Sequence, residues 1–267
     1  MNYQNIIVQK ERGVARITLN RPNVLNALNA EILLELKAAL DDIGKDDGVD
    51  VVILTGAGRA FCAGMDLKAA SEHDRDGAGR PDQILIVRDV FEGISNLDRP
   101  VIAAVNGFAL TGGLELALCC DMIIASENAV FGDTHCRVGT IPGGGDGTRL
   151  PRLVGVLKAK ELIMTCDMLS AKEAERIGLV NKVVPADRLD EAAQEIAQKI
   201  RSNNQTAVRA AKALVDRGMN TGLDMALIME EAMFKRFNER RRGRMAEDQR
   251  RAAFEKTRAS LPTKKQE

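Results

Sequence analysis

Residues Val101–Ala117 read V-I-A-A-V-N-G-F-A-L-T-G-G-L-E-L-A, a strand pattern followed by a glycine break and an apolar helix pattern. The run over Pro100–Asn106 predicts a buried strand that ends at Gly107. Gly112 and Gly113 then open the helix. Glycine lets a ligand approach the backbone closely, and the first N–H groups of a helix are unpaired, so such a junction can hold an oxyanion. A Gly-Gly pair taken alone is a weak signal, because tight packing or a turn explains most such pairs.

Short apolar strands alternate with helices on both sides of this stretch. Further strands are predicted over Val14–Leu19, Asp50–Thr55 and Met122–Ala125. Apolar residues recur at helical spacing after an N-cap signal at Asn29, and again over Ile84–Leu97. This alternation predicts an α/β domain with parallel strands.

The strand pattern disappears from about residue 187 onward. Helical patterns cover the rest of the chain, over Leu189–Ile200, Thr206–Arg217, Gly222–Phe237 and Met245–Arg258. We therefore predict a core of residues 1–186 and a C-terminal helical region of residues 187–267.

The composition argues against several classes of protein. The 267 residues include 38 basic and 38 acidic side chains and only 3% aromatic residues, which argues against a nucleic-acid binder. Apolar runs such as Val101–Val105 are far shorter than the roughly 18 residues of a membrane-spanning helix. Residues Met1–Gln9 show no signal-peptide pattern. We therefore expect a cytoplasmic protein that binds neither nucleic acid nor membrane.

Cysteine and histidine usage gives no support for a disulfide framework or a metal centre. The five cysteines include no Cys-x-x-Cys pair, and the only histidines are His73 and His135. We expect reduced thiols and no metal ion.

Four segments in order resemble the crotonase (enoyl-CoA hydratase/isomerase) superfamily. They are Ala60–Asp66 (A-F-C-A-G-M-D), Val101–Ala117, Gly139–Gly145 (G-T-I-P-G-G-G) and Ala174–Val180 (A-x-x-x-G-L-V). The resemblance implies a spiral of repeated ββα units, followed by a helical region that serves oligomerisation and covers the CoA pocket. It also implies a homotrimer or a dimer of trimers. The implied ligand is an acyl-CoA thioester, so coenzyme A enters as part of the substrate and no separate cofactor is expected.

Carried over to this sequence, the resemblance assigns the backbone N–H groups of Met65 and Gly112 to an oxyanion hole for the thioester oxygen. It also assigns coenzyme A contacts to residues matching the family's binding segments, namely Ala27, Ala63, Asp66 and Leu67. Phe237 and Lys256 are further candidates from a C-terminal helix, although packing or solvated charge explains these two equally well.

The second acid–base position departs from the family pattern. Glu115 matches the first of the two glutamates that the family's hydratases use, but Phe131–His135 (F-G-D-T-H) places His135 where those enzymes have the second. Histidine, with a reference pKa of about 6.5, still permits acid–base chemistry, and an ionised Glu115 favours a protonated His135 acting as the acid. Asp133 or Asp146 is a candidate to orient the imidazole, and each is equally a candidate turn or N-cap residue.

The sequence thus predicts an enoyl-CoA hydratase-like hydro-lyase that adds water to 2-enoyl-CoA thioesters through an enolate. One alternative is another reaction of the superfamily, such as C–C bond hydrolysis of a β-diketone. Another is a catalytically weakened CoA-binding homologue in which His135 only fills space. The sequence does not specify the acyl chain length.

Overall fold

The computed structural model describes residues 2–66, 83–241 and 254–255, and the chain forms two compact units, residues 1–209 and 210–267. The strands are β1 (Ile6–Glu11), β2 (Val14–Leu19), β3 (Val51–Gly56), β4 (Ala60–Cys62), β5 (Val101–Val105), β6 (Phe108–Leu110), β7 (Met122–Ser126), β8 (Val130–Gly132), β9 (Leu169–Ser170) and β10 (Lys182–Val184). The α-helices are α1 (Ala30–Lys45), α2 (Gln83–Ser95), α3 (Gly112–Leu118), α4 (Asp146–Val154), α5 (Val156–Thr165), α6 (Ala171–Arg176), α7 (Leu189–Arg201), α8 (Gln205–Gly218) and α9 (Leu223–Arg241).

The strands form two sheets, and each turn of the spiral contributes one strand to each sheet. A six-stranded sheet has the order β1-β2-β3-β5-β7-β10 and is parallel apart from β1–β2, and a four-stranded sheet has the order β4-β6-β8-β9 and is parallel apart from β8–β9. The consecutive pairs β3/β4, β5/β6 and β7/β8 each put one strand in each sheet. The predicted α/β fold of repeated units with parallel strands is therefore confirmed.

Strand β5 lies between two hydrophobic cores, which explains its unbroken apolar sequence. Val101, Ala103 and Val105 belong to the larger core, whereas Ile102 and Ala104 belong to a second core. Because side chains alternate between the two faces of a strand, a central parallel strand covered on both faces is apolar at every position.

The helix after the first predicted turn is confirmed together with its cap. The Asn29 side chain accepts a hydrogen bond from the Ile32 amide at 3.1 Å, and α1 runs from Ala30 to Lys45. An N-cap of this kind stabilises a helix by about 1 kcal/mol.

Helix α7 extends the first compact unit beyond the last strand. Its residues Leu189, Ala192, Ala193 and Ala197 are buried in the core that includes Ile102 of β5. The predicted boundary between residues 186 and 187 marks the end of the strands, but the first unit continues to residue 209 because α7 packs on the sheet.

Beyond residue 209 the described elements are helical, as the sequence predicts. Of the predicted helix Met245–Arg258, only Phe254 and Glu255 lie within the described residues, and both are helical. Within the ranges that the structure describes, we find no helix with both the length and the apolar character needed to cross a membrane.

Candidate active site

Two glycines bring the end of β4 against the start of α3. Gly64 has a φ of +97°, and a Cβ built on it would lie 3.0 Å from the Leu110 carbonyl oxygen and 3.3 Å from the Gly112 amide nitrogen. A Cβ built on Gly112 would lie 3.7 Å from the amide nitrogen of Met65. The structure therefore places the amides of Met65 and Gly112 next to each other.

The N–H groups of Met65 and Gly112 have no hydrogen-bond acceptor in the part of the chain that the structure describes. Beside Met65, the Leu28 amide donates to the Gly64 carbonyl at 2.8 Å and the Asp66 amide donates to the Leu28 carbonyl at 2.9 Å, which leaves the Met65 N–H unused. Gly112 is the first residue of α3, where an N–H has no partner within the helix. Both groups are therefore free to donate to a ligand oxygen.

Thr111 holds the turn before α3 in an unusual backbone conformation. Its φ of +54° and ψ of −117° are unfavourable for a residue with a branched Cβ. Its amide donates to the Gly132 carbonyl at 2.8 Å, and its hydroxyl lies 2.6 Å from the Thr134 hydroxyl. These bonds connect the start of α3 to the segment that carries His135.

The Glu115 carboxylate is buried and held by a loop backbone. Glu115 is 3% exposed, and its Oε1 accepts hydrogen bonds from the amides of Gly144 at 2.6 Å and Asp146 at 3.4 Å. A Cβ on Gly144 would lie 2.6 Å from Glu115 Oε2 and 2.5 Å from Phe91 Cε2. Any side chain at position 144 would therefore overlap with Glu115 and Phe91, so a glycine is needed where this loop contacts the carboxylate.

His135 forms a buried pair with Asp133. Asp133 Oδ1 lies 2.6 Å from His135 Nδ1 and also accepts from the His135 backbone amide at 2.8 Å. Burial alone lowers the pKa of His135, but the Asp133 hydrogen bond and the charges of Asp133 and Glu115 outweigh it and raise that pKa above its ordinary value. Of the two candidate orienting residues, Asp133 is the one that contacts the ring.

A third carboxyl, Asp146, completes the cluster at the first residue of α4. Asp146 is 0% exposed, and burial, with the charges of Glu115 and Asp133, raises its pKa well above the ordinary value. Neither of its carboxyl oxygens, nor Asp133 Oδ2, has a hydrogen-bond partner with good geometry among the described residues. Ligand-type atoms of Asp133, His135 and Asp146 lie within 4.8 Å of one another, but the short Nδ1–Oδ1 contact is a hydrogen bond, so a proton lies between Asp133 and His135.

Three of the predicted coenzyme A residues lie close together. Ala63 donates from its amide to the Leu25 carbonyl at 3.0 Å, and Arg21 bonds both to the Ala27 carbonyl at 2.5 Å and to Asp66 Oδ2 at 3.1 Å. Arg21 therefore joins Ala27 to Asp66. The predictions at Leu67 and Lys256 lie outside the described residues, and Phe237 is half-buried on α9 in the second compact unit.

Sequence reasoning missed the residues that hold the site together, namely Arg21, Thr134 and Gly144. The glycine run at 143–145 was the available signal for Gly144, but its partner Glu115 is 29 residues away in the chain. A single threonine and an arginine before a proline carry no pattern that predicts such long-range hydrogen bonds.

Comparison with known proteins gives consistent matches. The family described as Enoyl-CoA hydratase/isomerase matches residues 9–258. The chain is 45% identical over 240 residues to a crotonyl-CoA hydratase of Syntrophomonas wolfei, covering 88% of this chain and 90% of that protein. It is 47% identical over 235 residues to a short-chain-enoyl-CoA hydratase of Clostridium acetobutylicum, covering 88% and 89%.

The same holds for solved structures. The crystal structure of an enoyl-CoA hydratase from Bacillus anthracis is similar with a TM-score of 0.85 at 40% identity, covering 99% of this chain and 100% of that one. With a family match over residues 9–258 and relatives at 45–47% identity, the chain belongs to the enoyl-CoA hydratase/isomerase family.

Proposed function

We propose that this protein is an enoyl-CoA hydratase that adds water to short-chain 2-enoyl-CoA thioesters. The observation that carries the proposal is a buried carboxylate, Glu115, close to an imidazole, His135, and one helical turn from the Gly112 amide, which has no acceptor among the residues that the structure describes. The relatives with 45–47% identity are named crotonyl-CoA hydratase and short-chain-enoyl-CoA hydratase, which supports both the reaction and the substrate class.

The proposed reaction begins with water between Glu115 and C3 of the substrate. Glu115 takes a proton from the water, the oxygen forms a bond to C3, and the electrons of the double bond move onto the thioester oxygen. The N–H groups of Met65 and Gly112 donate to that oxygen as its charge grows. Each donor of this kind contributes about 3 kcal/mol to transition-state stabilisation.

Protonation of C2 completes the addition. His135, whose raised pKa favours the imidazolium, gives a proton from Nε2 to C2, and the electrons return from the oxygen to re-form the thioester. The proton held by Glu115 then passes to the neutral His135, so that one water molecule has been added and both side chains are restored.

Binding of the coenzyme A portion is proposed for the segments around Ala27 and around Ala63, Asp66 and Leu67. The joining of Ala27 to Asp66 by Arg21 supports this, because it brings two separate family segments to one place. Phe237 and Lys256 remain candidates for contacts from the C-terminal region.

We further propose a cytoplasmic homotrimer or dimer of trimers. Support for assembly comes from large apolar side chains exposed on α4 and α5, namely Leu153, Val156, Leu157 and Met164. Light scattering of the purified protein tests this proposal, since a monomeric mass at micromolar concentration would contradict it.

The reaction is tested by following loss of the conjugated thioester absorbance of crotonyl-CoA with wild type, Glu115→Gln and His135→Ala. We expect wild-type hydration and a loss of about 100-fold or more in kcat for each variant. A full wild-type rate in His135→Ala contradicts the role of His135, and CoA binding without turnover by wild type supports a weakened homologue instead. The β-diketone alternative, testable with a cyclic diketone, gains no support from relatives named as hydratases.

A further inference from the structure

Three buried carboxyl groups lie near one imidazole. The proposed reaction needs a negative charge on only one of them, Glu115. Glu115 comes from α3, Asp133 follows β8, and Asp146 begins α4, and all three are at most 3% exposed. No Lys or Arg among residues 2–66, 83–241 and 254–255 forms an ion pair with any of them. Three charged carboxylates cannot share a dry site with one imidazolium without a large electrostatic penalty.

The nearby groups on the packed elements do not relieve this charge. Arg149 of α4 donates to the Gly144 carbonyl and to the Ser95 hydroxyl, each at 3.1 Å, rather than to a carboxyl oxygen. Cys119, after the end of α3, is a neutral thiol, because burial raises its pKa to about 11. The compensation therefore has to come from a proton within the cluster.

The hydrogen bonds indicate which carboxyl keeps that proton. Glu115 accepts from two backbone amides, and Asp133 accepts from the amide and the ring of His135. Asp146 accepts from no donor within the described residues. A carboxyl without donors is the one for which the charged form costs most, and Asp133 Oδ2 nearby is an acceptor without a donor.

We propose that Asp146 is a neutral carboxylic acid in the resting enzyme and that Asp146 and Asp133 act as positioning residues that fix the tautomer and charge of His135. Asp133 holds the proton on Nδ1, which leaves Nε2 as the ring nitrogen for the substrate. Ionisation of Asp146 would add a negative charge beside the imidazolium, so His135 would release its proton less readily. The role given to His135 rests on the proposed function, but whether Asp146 is protonated can be measured without any turnover of substrate.

Infrared difference spectroscopy tests the protonation of Asp146 directly. We expect wild type near neutral pH to show the C=O stretch of a protonated carboxyl and Asp146→Asn to lack it. The asparagine side chain stays neutral and keeps a donor for Asp133 Oδ2, so it is the matched replacement. Absence of the band in wild type, or its persistence in Asp146→Asn, overturns the proposal. A pH titration of the wild-type band gives the same information if the variant does not fold.

Nitrogen NMR of the imidazole tests the effect on His135. Since the chain has only two histidines, His73→Gln leaves His135 as the single ring to observe. We expect Nδ1 to stay protonated in this background, and the His135 midpoint to change by less than about 0.5 pH units when Asp146→Asn is added. A fall of about one unit or more overturns the proposal, since it is the result of removing a full negative charge. Asp133→Asn should move the proton from Nδ1 and change the pH profile of kcat.

Elemental analysis of the purified protein tests whether a bound metal ion, rather than a proton, compensates the charge of Asp146. Less than about 0.1 divalent ion per chain supports the proposal, whereas a stoichiometric ion lost in Asp146→Asn overturns it, because a bound cation holds Asp146 ionised. Wild-type hydration of crotonyl-CoA is measured in parallel. Its absence would refute the proposed function while leaving the spectroscopic result on Asp146 intact.

Discussion

Replacing Gly144 by alanine should displace the Glu115 carboxylate without rebuilding the fold. The added Cβ would lie 2.6 Å from Oε2, and ordinary contact begins at 3.4 Å, so the carboxylate has to move by about 0.8 Å. Misplacing a reacting group by about 1 Å typically costs about 100-fold in rate. We therefore expect kcat for crotonyl-CoA hydration to fall about 100-fold. The overlap with Phe91 should also cost about 1–3 kcal/mol of folding stability.

Gly143→Ala is the matched control for this prediction. A Cβ at Gly143 has no atom within 4 Å in the described structure, and Gly143 does not adopt a positive φ. This variant should keep kcat within about twofold and stability within about 0.5 kcal/mol of wild type. Both variants are compared by steady-state kinetics and thermal unfolding. Full activity in Gly144→Ala would refute the claim that the loop fixes Glu115 for catalysis, and an equal loss in Gly143→Ala would show that any change in the loop has the same effect.

The remaining predictions concern strain and pH. Thr111→Gly should be at least as stable as wild type in thermal unfolding, because the relief of about 1–3 kcal/mol of backbone strain offsets the loss of a hydrogen bond to Thr134 worth roughly 1 kcal/mol. Thr111→Val keeps the strained backbone and loses the hydrogen bond, so it should be less stable than wild type. If Thr111→Val were the more stable of the two variants, the backbone of Thr111 would not be strained. Because the pKa of Asp146 is raised in the folded state, its contribution to stability is intact below about pH 4 and falls by about 1.4 kcal/mol per pH unit until pH passes the folded pKa. The stability of Asp146→Asn relative to wild type should therefore rise with pH from about pH 4 upward, and a pH-independent difference in denaturant titrations would count against a protonated Asp146.

The sequence predicts the buried elements well because burial leaves a direct pattern. The strand β5 and the helix α1 were found from unbroken or periodic apolar residues, and both are buried as expected. Strand β1 was not predicted, since only Ile6 of its six residues is buried and Gln9, Lys10 and Glu11 face outward. Its position is set by antiparallel pairing with β2, which is a property of the folded sheet.

The sequence points to candidate members of the site but not to their geometry. The resemblance points to Glu115, the departure from it points to His135, and Asp133 is a candidate to orient the imidazole, but no sequence pattern shows how Asp133 reaches the ring. His135 has helical angles, with φ of −56° and ψ of −49°, and Asp133 reaches it by bonding the amide two residues ahead. Short side chains that bond to nearby backbone amides set the local conformation in a way that helix and strand patterns do not reveal. The approach of Asp146 to the same cluster depends on tertiary packing, which no local pattern encodes.

A structure with a bound, unreactive analogue of an enoyl-CoA thioester tests the central claim most directly. We expect the thioester oxygen at about 2.7–3.1 Å from the amide nitrogens of both Met65 and Gly112. We also expect C2 and C3 of the acyl group to lie between Glu115 and His135. A thioester oxygen bonded to neither amide, or an acyl group bound away from Glu115, would contradict the account.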